Sequence, residues 1–544
     1  LSLSLSLSLC MCVCACVRVC VGEKAIGLTG TKTSCQQGGC GACTVMLSSH
    51  NHATGAVDNK AVNACLRPLL SCDGQHIMTS EGIGSAQAGF HPVQERIAEC
   101  NGTQCGYCTP GHVMAMYSLL RETAGGSLSR HEIEERFDGH ICRCTGYRSI
   151  MKAVHSFASE GVPGEEDNVA GVPATTWDDY DACKEPAAPA PVSEAPSPFA
   201  ATGIDGATWH RALTLDDIAK IQAASADKNI RLVCGGTSAG VYPDAVTSAE
   251  VFVDISAVKE LAGISMEEGG LTCGSTTTLS QLLAALLANG EKSQSFGSLA
   301  NHIKKVSNWQ VRNVGSWAGN LVMAKTEGFA SDIATLMMGA GATLKILKSG
   351  TTTEQDVQSF LSESDSMGDA VIVSITIPVL AEGEFLFTYR TAQRPKNAHA
   401  LVNACFRATV KDGTISNTKL AFGVVQKKAV FAEAAMAAMD GKSLDVEGLA
   451  AGLAGLESMV IEPEEQYHCE QQPEGKDAYR RNVASSFLYK FFLALTGASG
   501  GTVPDSLKTA GTVLIEEKGT STGKQTYETI LPDDHPGKYP RPKV

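Results

Sequence analysis

Eight cysteines between residues 35 and 144 constrain this chain more than any other feature. They fall into two sets: Cys35, Cys40 and Cys43 with Cys65 further on, and Cys105 and Cys108 with Cys142 and Cys144. Of 20 cysteines in all, five more lie in the first 20 residues, and Cys72, Cys100, Cys183, Cys234, Cys273, Cys405 and Cys469 are scattered singly. A secreted disulfide framework is short and cysteine-dense throughout. This chain is 544 residues long and clusters its cysteines, which points to metal ligation in a reducing compartment. Its 43% hydrophobic content can build packed cores, and its length suits about three or four domains. A net charge of −14 and the lack of a Lys/Arg-rich run argue against a nucleic-acid partner.

The first set reads Cys35-Gln-Gln-Gly-Gly-Cys40-Gly-Ala-Cys43. C-x4-C-x2-C followed by one distant cysteine is the spacing of plant-type [2Fe–2S] ligation. Four thiolates must wrap a compact, net-negative cluster within one tight loop. Gly38, Gly39 and Gly41 let the backbone turn and bring N–H groups close to the sulfurs, where they stabilise charge and tune potential. The competing reading is zinc, but zinc sites repeat C-x2-C or pair it with histidines, and an x4 gap packed with glycine argues against that.

In the second set, C-x2-C alone would be redox-active, zinc-binding or cluster-binding. Its context is more telling. Thr109-Pro110 reads as a cap followed by a first-turn proline, opening an apolar helix through Val113–Leu120. Cys142 and Cys144 precede a helix over roughly 147–157, and amphipathic helices are expected near 91–99 and 129–137. Both thiol pairs would then sit at positive helix ends, with four helices bundled below them.

Residues 1–21, LSLSLSLSLCMCVCACVRVCV, lack a positive n-region and a small-residue cleavage site. Alternating Leu-Ser and Cys-Val are what CT and TG nucleotide repeats translate to. The run is expected to be a translated repeat, not a leader or anchor, and Cys10 to Cys20 are not counted as ligands.

The stretches SCQQGGCGACTVML, AVNACLRPLL, EGIG, GTQCGYCTPGHVMAMY and GHICRCTGYRSI resemble the iron–sulfur regions of xanthine dehydrogenases and aldehyde oxidases, the molybdenum hydroxylases. The resemblance implies that Cys35, Cys40, Cys43 and Cys65 ligate one [2Fe–2S] cluster in a β-grasp ferredoxin-like domain (22–80). That domain's opening hairpin and helix are replaced by the repeat run, so about two strands are expected to be missing. Cys105, Cys108, Cys142 and Cys144 would ligate a second cluster in a four-helix domain (81–159). Gln104 matches the glutamine that reaches the pterin of the molybdenum cofactor.

Residues 160–204, rich in Gly, Pro, Ala and acids, read as an extended linker, with Trp177 to Tyr180 as a segment that could pack on a neighbour. From Thr208 an α+β pattern begins. Ile230–Gly240, a strand running into Gly235-Gly236-Thr237-Ser238, reads as a phosphate-cradling loop, and Gln310–Asn320 as a second close-contact loop. It is not G-x-G-x-x-G, so a Rossmann fold is not expected. The pair resembles the same family's FAD domain (205–380), which has the vanillyl-alcohol-oxidase/PCMH-type fold. Leu232, Val233, Cys234, Gly235, Gly236, Thr237, Ser238 and Ala239 match its first FAD loop. Ser316, Gly319 and Asn320 match the second, and Asp332 the aspartate after it, across a segment about three residues longer than usual. Ser238 stands where many members have Glu. Residues 381–500 resemble the family's flavoprotein C-terminal α+β domain. Arg394 and Lys396 lie near where that family's flavin edge meets NAD, but Asn397 and Ala398 replace its acidic residues, so no NAD site is assigned.

The whole is an α+β multidomain chain. The resemblance implies two [2Fe–2S] clusters and FAD as cofactors, electrons passing through the clusters to FAD and on to NAD+ or O2, and a homodimer. Residues 501–544 resemble the linker before the family's molybdenum domains. Molybdopterin and the catalytic base are therefore expected in a C-terminal half or on a partner polypeptide. The alternatives are a separate iron–sulfur/FAD electron-transfer subunit or an inactive fragment. A cytoplasmic or peroxisomal location, no membrane and no nucleic acid complete the expectation.

Overall fold

The computed structural model describes residues 28–50, 56–123, 126–159, 196–203, 205–364, 366–462, 476–502 and 504–507. The repeat run 1–21, the segment Trp177–Tyr180, Cys183, Cys469 and most of 501–544 lie outside them.

Cys43 hands the chain directly into β1 (Thr44–His50). It pairs antiparallel with β2 (Val57–Asn63) and β3 (His76–Met78), in the order β2-β1-β3. Val45, Leu47, Val62 and Ile77 turn one face into a small core that also holds Cys43. Met46 and Ala61, on the other face, join the core of the next unit. That unit is the expected bundle: α1 (Pro92–Glu99), α2 (Thr109–Glu122), α3 (Arg130–Arg136) and α4 (Arg148–His155). Capping boxes start α1, from His91 and Gln94, and α3, from Ser129 and Glu132. One local expectation is corrected. Thr109 is not the cap of α2 but its first residue, with Cys108 in the cap position. The Thr109 hydroxyl lies 2.8 Å from that of Thr103 instead of turning back on the helix.

The flavin portion has two sheets. The first orders Ala200–Thr202, Thr208–Arg211, Val251–Asp254 and Ile230–Val233; its first pair is antiparallel and the others parallel. Its opening strand falls inside the expected linker, so folding resumes before residue 204. Phe199 explains this, because the Arg211 guanidinium sits 4.4 Å over its ring and anchors the segment. The second sheet is antiparallel, with Gly270–Gly274 and Val371–Pro378 at its centre. It packs on helices Leu279–Ala288, Gln294–Ile303 and Asp332–Ala340 through Leu282, Leu299, Leu336 and Ile375, all fully buried. The last unit is an antiparallel sheet, Glu384–Ala392, Ala400–Lys411, Thr414–Gly423 and Val430–Phe431, backed by helix Lys476–Ala498. No described helix is long and apolar enough to cross a membrane.

The units interlock. Asp138 follows α3 and receives the Trp309 amide at 2.9 Å and the Arg312 guanidinium at 2.7 Å, both from the flavin portion. Both charged side chains are under a tenth exposed. Removing one partner of such a pair leaves a buried charge and costs about 3–5 kcal/mol. Asp138→Ala should therefore lower the melting temperature of the intact chain clearly, whereas Asp138→Asn, which keeps the amide contact, should lower it less.

Candidate functional site

The two cysteine sets fold as pairs of thiols. In the first, Cys40 is hydrogen-bonded to Cys35, and Cys65 to Cys43. The Cys40 contact holds Cys35 at about 5 and pushes Cys40 up. The Gln37 amide donates to Cys35 Sγ at 3.4 Å. Gly38 and Gly41 adopt φ of +75° and +69°, as a loop turning its amides inward requires. In the second set Cys108 meets Cys142, and Cys105 meets Cys144. Burial and the Cys142 contact push Cys108 up to about 12. Burial would also raise Cys142, but the Thr145 hydroxyl at 3.1 Å and its amide at 3.4 Å outweigh it and lower the thiol. Tyr147, at φ +68°, sends its hydroxyl back to accept from the Cys142 amide at 2.9 Å. Among the described residues no three His, Cys, Asp or Glu side chains gather as around one ion. Thiols converging two by two suit a pair of irons, each taking two of them. The described cysteines are all free thiols.

Both expected FAD loops line one cavity of ≈1430 Å³. Ordinary ligand pockets are roughly 300–1,000 Å³, so this one has room for a dinucleotide. Leu232 to Ala239, Ser316, Gly319, Asn320 and Asp332 all border it. Gly235 lets the loops touch, since a Cβ there would lie 2.1 Å from the Val314 carbonyl oxygen. Ser316 caps helix Trp317–Thr326, accepting from the Gly319 amide at 3.1 Å, so a positive helix end faces the cavity. Asn320 accepts from the Ser331 hydroxyl. Ser238 accepts from the Arg231 guanidinium at 2.8 Å. These residues fit FAD: the glycines admit backbone close to a diphosphate, and the cavity has room for it.

Asp332 sits at the cavity wall under three donors: Arg390 Nε at 3.1 Å, His302 Nε2 at 3.0 Å and Asn403 Nδ2 at 2.8 Å. Burial alone would raise its pKa, but Arg390 and His302 hold it well below the carboxylate range. Burial also keeps His302 low despite Asp332, so it donates as a neutral imidazole and Arg390 is the cation. A carboxylate depressed on folding contributes stability above its unfolded pKa, about 3.9, and loses it as pH falls through the folded value. The stability gap between wild type and Asp332→Asn, read by denaturant titration, should hold from neutral pH to about pH 4 and shrink only below.

The same cavity is also walled by Gln37, Gly38, Gly39, Cys65, Leu66 and Pro68 of the first cysteine domain. Asn308 Nδ2 donates to the Gly38 carbonyl at 2.6 Å, and Asn397 Nδ2 to that of Gly39 at 2.8 Å. Between the thiol sets, the Ile141 amide donates to the Cys40 carbonyl at 3.0 Å. Cysteine loop and flavin cavity are thus one structure.

Four family descriptions match: "2Fe-2S iron-sulfur cluster binding domain" at 21–73, "[2Fe-2S] binding domain" at 79–155, "FAD binding domain in molybdopterin dehydrogenase" at 201–380 and "CO dehydrogenase flavoprotein C-terminal domain" at 387–495. Xanthine dehydrogenase of Oryza sativa subsp. japonica is 30% identical, over 93% of this chain and 40% of that protein. Aldehyde oxidase 1 of Bos taurus is 31% identical, over 87% and 37%. The chain belongs to the xanthine dehydrogenase/aldehyde oxidase family of molybdenum hydroxylases. It spans about two fifths of the length of these relatives, namely the portion that in this family binds two [2Fe–2S] clusters and FAD. Among solved structures, quinoline 2-oxidoreductase from Pseudomonas putida 86 aligns at TM-score 0.45 and 22% identity, over 54% of this chain and 97% of that one. Carbon monoxide dehydrogenase from Hydrogenophaga pseudoflava aligns at TM-score 0.45 and 20%, over 52% and 93%.

Gln104 is exposed beside Cys105 and does not border the cavity. Arg394 borders the cavity, but Lys396 is bound to Glu135 of α3 at 3.4 Å. Sequence reasoning missed Arg390, His302 and Asn403, which reach Asp332 from 58, 30 and 71 residues away. It also missed Asn308 and Asn397. Asparagine beside a glycine-rich loop carries no spacing signal, so only the fold identifies them.

Proposed function

We propose that this chain is the redox relay of a xanthine dehydrogenase/aldehyde oxidase-like molybdenum hydroxylase. Electrons enter at the helical domain, cross to the ferredoxin-like domain, reach the flavin cavity and leave to NAD+ or O2. Cys105, Cys108, Cys142 and Cys144 would hold one cluster, Cys35, Cys40, Cys43 and Cys65 the other, and the two cavity loops the FAD. The cofactors supply the one- and two-electron chemistry. The protein supplies placement: thiol pairs, inward amides and a cavity wall shared between domains. That shared wall, with Gly38, Gly39 and Cys65 facing the FAD loops, carries the proposal.

Exposed Gln104 and Cys105 mark the face that would meet the molybdopterin-bearing domains or partner polypeptide. Both purine- and aldehyde-oxidising relatives match, so the substrate belongs to that other half. Thiol ligands favour a reducing compartment, cytoplasmic or peroxisomal, and a homodimer is the assembly the family implies.

The test is stopped-flow reduction of the cofactor-loaded chain by limiting dithionite. Cluster bleaching should precede flavin bleaching, and FAD-loaded protein stripped of iron should reduce its flavin more slowly. Equal flavin rates with and without iron would rule out the relay.

A further inference from the structure

The two thiol sets meet at one place, and a histidine sits in it. Gly41, inside the first set's loop, is pressed against the start of α2 and against residues 139–140. A Cβ on Gly111 would lie 2.2 Å from the Gly41 carbonyl oxygen, and one on Gly41 would lie 2.6 Å from His140 Cδ2. Neither glycine has room for a side chain here. The Ile141 amide bonds the Cys40 carbonyl at 3.0 Å, and Ile141 directly precedes Cys142. One hydrogen bond therefore joins a cysteine of the first set to the residue that precedes a cysteine of the second.

His140 holds that contact. Its ring is buried, at 5% exposure, and lies 5.0 Å from that of His112 and 5.4 Å from that of Phe137. The Thr44 hydroxyl donates to the Gly41 carbonyl at 2.7 Å and lies 3.1 Å from His140 Nε2. With its proton so used, that hydroxyl can only accept, which makes Nε2–H the donor. Gln310 Nε2 lies 3.3 Å from Nδ1 and 3.2 Å from Nε2, and with Nε2–H given to Thr44 only Nδ1 is left to accept from it. One imidazole thus ties the first cysteine loop, the segment entering Cys142 and the flavin portion together.

We propose that His140 is a positioning residue, which locks the Ile141–Cys40 bond so that an electron crosses between the two cysteine sets at a fixed contact. This rests on the relay reading above. The crossing moves one electron: the helical side is oxidised by one and the ferredoxin-like side reduced by one, with no bond broken and no proton transferred.

Electron paramagnetic resonance of the fully reduced, cofactor-loaded chain tests it. Wild type should show spin coupling between its two iron centres. His140→Ala should keep its iron, its flavin and both individual signals, yet lose the coupling. His140→Gln, whose amide can again donate to Thr44, should restore it. Unchanged coupling in iron-replete His140→Ala would overturn the proposal. Should that variant not hold iron, Gln310→Leu cuts the ring's other bond from outside the cluster domains. Weakened coupling there supports the role of His140, and unchanged coupling overturns it. Wild-type protein that takes up no iron would instead sink the relay reading, and this inference with it.

Discussion

Cys43→Ser is expected to strip the ferredoxin-like cluster and halve the iron per chain, while the second cluster and FAD stay bound. Cys43 is 2% exposed, contacts Cys65 and lies 3.8 Å from Asn63 Oδ1, so its sulfur is fixed at the buried end of the loop. A serine oxygen is a harder, more basic donor than the soft thiolate iron–sulfur centres select. The substitution is nearly isosteric, so the β1–β2–β3 core should survive. Because the loop that would lose its cluster walls the FAD cavity, flavin reduction should slow sharply while flavin content does not change. Iron and flavin analysis of one sample decides the matter, and unchanged iron would refute the ligand assignment.

The second large effect is expected from Gly235→Ala. The added methyl carbon would stand 2.1 Å from the Val314 oxygen and 2.6 Å from its carbon, both backbone atoms that cannot rotate away. The two FAD loops must part. Overpacking of this kind costs about 1–3 kcal/mol or more, and the separation falls where the cofactor would be clasped. FAD should be lost while both iron centres remain. Gly297→Ala, in helix Gln294–Ile303 of the same portion but off the cavity wall, is the control, since nothing lies within 4 Å of a Cβ there, and flavin should be retained. Equal flavin content in the two variants would contradict the assignment of the first loop.

The parts legible in the sequence were those whose chemistry is local. The C-x4-C-x2-C loop, its glycines and the strand leaving it lie within a few residues of one another, and so do Gly235 to Ser238 and Ser316 to Asn320. The four helices of the second domain were legible too, because their caps and apolar faces repeat along the chain. What could not be read was whatever depends on distant segments meeting. Asp332 could be matched by position, but not the Arg390, His302 and Asn403 donors that fix its charge. Strand Ala200–Thr202 looked like linker because three small residues carry no β signal until Thr208–Arg211 lies beside them. Thr109 was misplaced by one position because a Thr-Pro pair suits either a cap or a first turn.

The docking of the iron–sulfur domains on the flavin portion was the least legible feature and matters most for function. Asn308 and Asn397 hold Gly38 and Gly39 across 270 and 358 residues. Asp138 and Arg312 add a buried ion pair between the same units. Polar side chains aimed at backbone carbonyls give no periodicity and no motif, yet they set the order in which cysteine loop and flavin cavity meet.

Iron, acid-labile sulfide, zinc and flavin should be quantified together on the purified full-length chain, with its visible spectrum. Two [2Fe–2S] centres and FAD predict a brown protein with four irons, four sulfides and one flavin per chain. A colourless product holding zinc and no flavin would contradict the relay at its root.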